Sequence, residues 1–210
     1  KGAASRSRSP RPRHRCLGAG GRLDEATLVA LQRRLRRGPY HVFHFIGHGG
    51  FDQQGQGGQL ILEDDRGRGR LVSGHYLGML LHDLRSLRLA VLNACEGART
   101  SLTDPFAGMA QSLTQEGIPA VIAMQFEITD EAAITFAQEF YQAVADGYPV
   151  DAALAEARKA IFAQGNDVEW GTPVLYLRSP NDQIFDVTAI SPPRFPQERE
   201  EREVEVSADR

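Results

Sequence analysis

The chain has 210 residues, enough for one sizeable core, and its 41% hydrophobic and 24% charged residues are ordinary for a globular protein. Its 24 basic and 27 acidic side chains leave a net charge of -3, which argues against nucleic acid or an anionic membrane as the main partner. No apolar run approaches the about 20 residues that span a bilayer, and no secretory leader is expected. Two cysteines are too few for a disulfide scaffold or a thiolate-rich zinc site, so a cytoplasmic protein with free thiols is expected.

Residues 1–22 are rich in arginine, serine, proline and glycine, and read as a disordered basic leader. Residues 23–190 read as one folded domain, and 191–210 as a disordered, charged tail after a proline stop. No internal repeat is found. From Asp24 to Arg37, Leu28, Leu31 and Leu35 share a helical face, and Gly38 stops the helix. HVFHFI (41–46) is a short aromatic and β-branched strand. QLILE (59–63) is a second strand in a hairpin-like insertion after a glycine-rich turn. Ser73 caps a short helix that runs to Leu81. RLAVLN (88–93) is apolar on both parities, as a strand buried on both faces of a parallel sheet must be.

Pro105 then opens a helix with Phe106, Met109, Ala110 and Leu113 as its inner stripe, ended by Gly117. PAVIAM (119–124) is another buried strand. Thr129 or Asp130 caps a long helix that carries Ala133, Phe136, Phe140 and Val144 to Gly147. Val150, Leu154, Ala157 and Ile161 line the next helix, and PVLYL (173–177) is the last strand. This alternation predicts an α/β fold, a mostly parallel sheet with helices on both faces.

Chemistry in open α/β sheets collects past the C-terminal ends of the strands. HVFHFI runs into Gly47-His48-Gly49-Gly50, and RLAVLN runs into Ala94-Cys95-Glu96-Gly97. If these strands are neighbours, His48 and Cys95 emerge on one rim. A thiol is only slightly ionised at neutral pH, so a neighbouring imidazole suits it as activator and as proton donor to a leaving amine. Attack on a carbonyl makes an oxyanion, for which the N–H groups of Gly49 and Cys95 are the natural donors.

Taken together, HFIGHGG and LAVLNACEGA resemble the CHAT family. These caspase-like domains are commonly associated with tetratricopeptide repeats and related to caspases, separases, gingipains and clostripain. The resemblance continues through DPFAGMAQSL, GIPAVIAMQFEITDEAA, the stretch from Phe136 to Phe162 and WGTPVLYL, and covers about residues 24 to 187. It implies a cysteine endopeptidase with His48 as catalytic histidine, Cys95 as nucleophile, and Gly49 with Cys95 as oxyanion donors. It implies no metal or organic cofactor. A protein or peptide substrate, and regulation by a partner or a tetratricopeptide-repeat module, are also implied. The segment Gln125–Asp130 resembles the one that supplies an acidic specificity residue in separase-like relatives, which makes Glu127 and Asp130 substrate-binding candidates for a basic side chain.

Related domains begin with a strand before the first helix, near the middle of the sheet. Here only the arginine- and proline-rich leader precedes that helix. The first strand is therefore expected to be missing, the sheet to have an open edge or gap beside HVFHFI, and the chain to be a piece of a longer protein.

Three other functions compete. One is a non-catalytic scaffold or interaction domain of the same family. Another is a nucleotide-binding domain, but Gly47–Gly50 is neither a GxGxxG motif nor a P-loop and opens no helix. The third is a metal site from His41, His44 and His48, but strand alternation sends His41 and His44 to opposite faces. That pair is expected to face solvent or loop, and His75 and His82 to lie on a surface helix without a special role.

Overall fold

The computed structural model describes residues 15–18, 21–22, 25–51, 58–94 and 105–187. The centre of the fold is a six-stranded sheet in the order β2-β1-β3-β7-β8-β9. Three parallel strands form its core: β3 (Val42–Gly47), β7 (Leu89–Ala94) and β8 (Ala120–Met124). All five residues of β8 are buried, as expected for a strand covered on both faces. The last strand, β9 (Pro173–Leu177), closes one edge antiparallel to β8, with Met124 opposite Pro173 and Ala120 opposite Leu177.

The other edge departs from expectation. Arg15–Gly18 forms β1, antiparallel to β3 with Cys16 opposite Phe45, and Gly21–Arg22 forms β2 against β1. The basic leader is thus not wholly disordered, and the flank of β3 is paired rather than open. A ladder needs backbone N–H and C=O groups, not apolar side chains, and the leader's prolines at positions 10 and 12 lie upstream of it. Even so, this strand runs antiparallel; no parallel first strand precedes α1 among the described residues.

A second, three-stranded antiparallel sheet stands beside the first, built from β4 (Gly49–Phe51), β5 (Gly58–Glu63) and β6 (Gly69–Ser73). In β5 every second residue is buried, the alternation of a strand with one face on the core. The sequence marks β5 clearly. It marks β6 poorly, since Gly69, Arg70 and Leu71 are all exposed.

Among the described residues, five helices cover the main sheet. On one face, α1 (Leu28–Leu35), α2 (Gly74–Leu81) and α3 (Pro105–Gln115) pack Leu31, Leu77, Phe106, Met109 and Leu113 against Phe43, Phe45, Ala90 and Leu92. On the other, α4 (Asp130–Ala145) and α5 (Val150–Ala163) pack Phe136, Phe140, Leu154 and Ile161 against Leu89, Val91 and Ile122. Ser73 caps α2 by accepting from the Tyr76 N–H, and Thr129 caps α4 by accepting from that of Ala132. Gly117 and Gly147 end α3 and α4 with φ of 109° and 89°, a conformation costly for any residue with a Cβ. Among the described residues no helix is long and apolar enough to cross a membrane.

Candidate functional site

Register sets the geometry of the rim. Along the whole of β3 and β7 the partners run in step, from Val42 with Leu89 to Gly47 with Ala94. Both strands therefore deliver the chain to the same edge of the sheet at the same height. His48 follows Gly47 directly and is half-buried. Cys95 follows Ala94 in sequence and lies outside the described residues, as does Glu96. β8 runs alongside, pairing Leu92 with Ala123, so the segment after Met124 leaves at this rim too.

The turn that carries His48 is held from the second sheet. The His48 carbonyl accepts from the Ile61 N–H at 2.9 Å, and Gly49 lies opposite Leu60 in the β4–β5 ladder. In an antiparallel ladder, bonded and non-bonded positions alternate. With His48 at a bonded position, Gly49 occupies the intervening one, and its N–H points away from β5. The predicted oxyanion donor is thus not consumed by this ladder.

Glu127 and Asp130 sit one strand further along. Glu127 is half-buried in the segment 125–129, and Asp130 is exposed at the first position of α4. Thr129, not Asp130, is the N-cap, so Asp130 is spared that duty. The segment is fixed at both ends. The Gln125 N–H donates to the Thr172 carbonyl at 2.9 Å, and the Glu169 carboxylate accepts from the Thr129 N–H and hydroxyl at 2.7 and 2.9 Å. Asn166 Nδ2 donates to the same carboxylate. Burial disfavours the charge on Glu169, but the bonds from Thr129 and Asn166 outweigh it and hold its carboxyl below the usual range. Sequence reasoning missed Glu169, because a lone glutamate before a tryptophan in a loop carries no pattern.

It also misplaced His44. This residue is buried, not turned to solvent or loop, with Nδ1 2.9 Å from the Tyr141 hydroxyl on α4. Burial lowers its pKa to about 4, so the ring is neutral near pH 7, and burial likewise raises the Tyr141 phenol. His41 is exposed just before β3. The three histidines of the metal reading therefore sit in different surroundings, and among the described residues no group of three or more His, Cys, Asp and Glu is placed to hold a metal ion. His75 and His82 are not idle: their Nδ1 atoms lie 3.0 Å from Glu116 Oε1 and from the Glu116 carbonyl, tying α2 to the end of α3.

The family model of the CHAT domain matches residues 18–197, most of the chain and all of its central parallel strands. The chain belongs to the CHAT domain family. Comparison with curated proteins finds no match. This CHAT domain therefore has a caspase-like relationship, carried on the mixed sheet described above.

Proposed function

We propose that this CHAT domain is a cysteine endopeptidase in which Cys95 attacks a peptide carbonyl and His48 handles the protons. The observation that supports this best is the in-step parallel pairing of β3 and β7, with Gly47 opposite Ala94, so that both strands end at the same edge of the sheet. His48 takes the thiol proton, and the Cys95 sulfur forms a bond to the carbonyl carbon. The resulting oxyanion is held by the N–H groups of Gly49 and Cys95. Collapse breaks the C–N bond as His48 returns the proton to the leaving amine. Water, deprotonated by His48, then hydrolyses the thioester and restores the thiol. No step uses a metal or an organic cofactor.

A carboxylate from Glu127 or Asp130, on the segment leaving the adjacent strand, favours a basic side chain at the cleavage site through a two-pronged contact. Substrate is a protein or peptide met in the cytoplasm, and a partner or a tetratricopeptide-repeat module raises a low basal rate. Turnover of a peptide panel by wild type and Cys95→Ala tests the reading. Cleavage after arginine or lysine that vanishes in Cys95→Ala is expected, tested with and without the natural flanking sequence. Equal turnover by both proteins would refute the nucleophile. Binding of partners with no cleavage under any of these conditions would favour the scaffold reading.

A further inference from the structure

One face of the main sheet holds two buried side-chain atoms that lack a hydrogen bond among the described residues. His44 Nε2 and Asn93 Oδ1 are both buried, and neither has a hydrogen-bond partner among the described residues. Asn93 is 1% exposed and His44 2%. An unmade bond at a buried polar atom costs about 1–3 kcal/mol, so two on adjacent strands need a reason.

The pair is complementary in position and in chemistry. His44 touches Tyr141 of α4, and Val42, two residues before it, packs in the α4–α5 cluster. Leu89 and Val91 pack in that same cluster, so alternation turns Asn93 to the same face. His44 is opposite Val91 and Ile46 is opposite Asn93, which sets the two residues one diagonal step apart. When the Tyr141 hydroxyl donates to Nδ1, the ring proton must sit on Nε2. The unpaired atoms are then one donor and one acceptor. A single water accepting from Nε2–H and donating to Oδ1 satisfies both.

We propose that Tyr141, His44 and Asn93, joined through one buried water, form a polar chain that ties α4 to β3 and β7 and fixes how those two strands sit against each other. Its members are positioning residues, resting on the peptidase reading above: His48 follows one strand and Cys95 the other, so a slip between the strands misplaces sulfur and imidazole. Asn93 stands two residues before Cys95 and His44 four before His48.

Two measurements test this on the full chain. Two-bond ¹⁵N–¹H correlation of the His44 ring is expected to show the proton on Nε2, exchanging slowly in wild type and faster in Asn93→Leu. The pH profile of Cys95 alkylation by iodoacetamide is expected to fall about three- to tenfold at pH 7 in both Tyr141→Phe and Asn93→Leu, its midpoint moving up toward a free thiol. Thr129→Ala, a cap change on the same helix, is expected to lower the melting temperature without moving that profile. A wild-type proton on Nδ1 would overturn the polar chain. Folded Tyr141→Phe and Asn93→Leu proteins with unmoved profiles would overturn its positioning role. A wild type whose Cys95 titrates as an ordinary thiol would instead sink the peptidase reading and the positioning role with it, while the ring tautomer still decides whether the chain of bonds exists.

Discussion

On the face of the sheet under α1, α2 and α3, Phe43, Phe45, Ala90 and Leu92 meet Phe106, Met109 and Leu113, and the one buried polar residue given there, Thr27, sits at the start of α1 rather than on a strand. The face under α4 and α5 has Phe136, Phe140 and Ile161 in the same role, yet His44 and Asn93 lie on its strands and Thr135 on its helix. Both faces bury large apolar groups, so burial alone does not explain the asymmetry. The parity of the strands does. On β3 and β7 the buried polar residues, His44 and Asn93, share one parity, while the other carries Phe43, Phe45, Ala90 and Leu92.

The largest effect should come from the face under α1, α2 and α3. Phe45→Ala empties a fully buried site there and is expected to cost about 3–5 kcal/mol in urea unfolding, with no change in slope of stability against pH. A loss under 1 kcal/mol would mean that this face is looser than described.

The second effect belongs to the polar face alone. His44 titrates near 4 in the folded protein because burial disfavours its charge, and at the ordinary 6.5 when unfolded. The unfolded chain therefore binds the extra proton first. Stability is full above about pH 6.5, falls as the pH drops through the window down to about 4, and levels off below it. The span corresponds to about 3 kcal/mol. His44→Gln, which keeps an acceptor for Tyr141, should flatten that part of the pH dependence. An unchanged slope in a folded His44→Gln protein would remove His44 as its source.

The smallest effect lies at the rim. Thr129→Ala removes the α4 cap and a bond to Glu169, and is expected to cost about 1 kcal/mol in thermal unfolding at pH 7. Glu169, whose hydrogen bonds hold its carboxyl low, adds stability that is present above the unfolded carboxylate pKa and lost as the pH falls through the lower folded one. Glu169→Gln should flatten the acid end of the profile, from the foot of the His44 window downward. A Thr129→Ala protein as stable as wild type would show that the segment bearing Glu127 is held by other bonds.

Much of this was legible in the sequence because the parallel strands are apolar on both parities and the helices carry clean inner stripes. Phe106, Met109, Ala110 and Leu113 were read as one face and are all fully buried. What escaped was structure that does not depend on apolar side chains. β1 and β2 are ladders of backbone bonds within an arginine-rich stretch, and β6 exposes three of its five residues. The direction of β9 was also hidden, because the same PVLYL fits a strand running either way. Of the proposed site, the described residues hold His48 and Gly49 just after β3, with Gly47 opposite Ala94, while Cys95 lies outside them. The histidine at 44 was misread since a polar residue in a strand usually marks the wet face, and nothing local announces a tyrosine almost a hundred residues on.

The central claim is that Cys95 is activated by its neighbour on the rim, whereas Cys16, in β1, is not. Brief alkylation at pH 7, followed by mapping of the modified sites in wild type and in His48→Ala, addresses it most directly. Labelling concentrated on Cys95 in wild type, falling to the level of Cys16 in His48→Ala, is the predicted result. Equal labelling of the two thiols in wild type, unaltered by the loss of His48, would contradict the account.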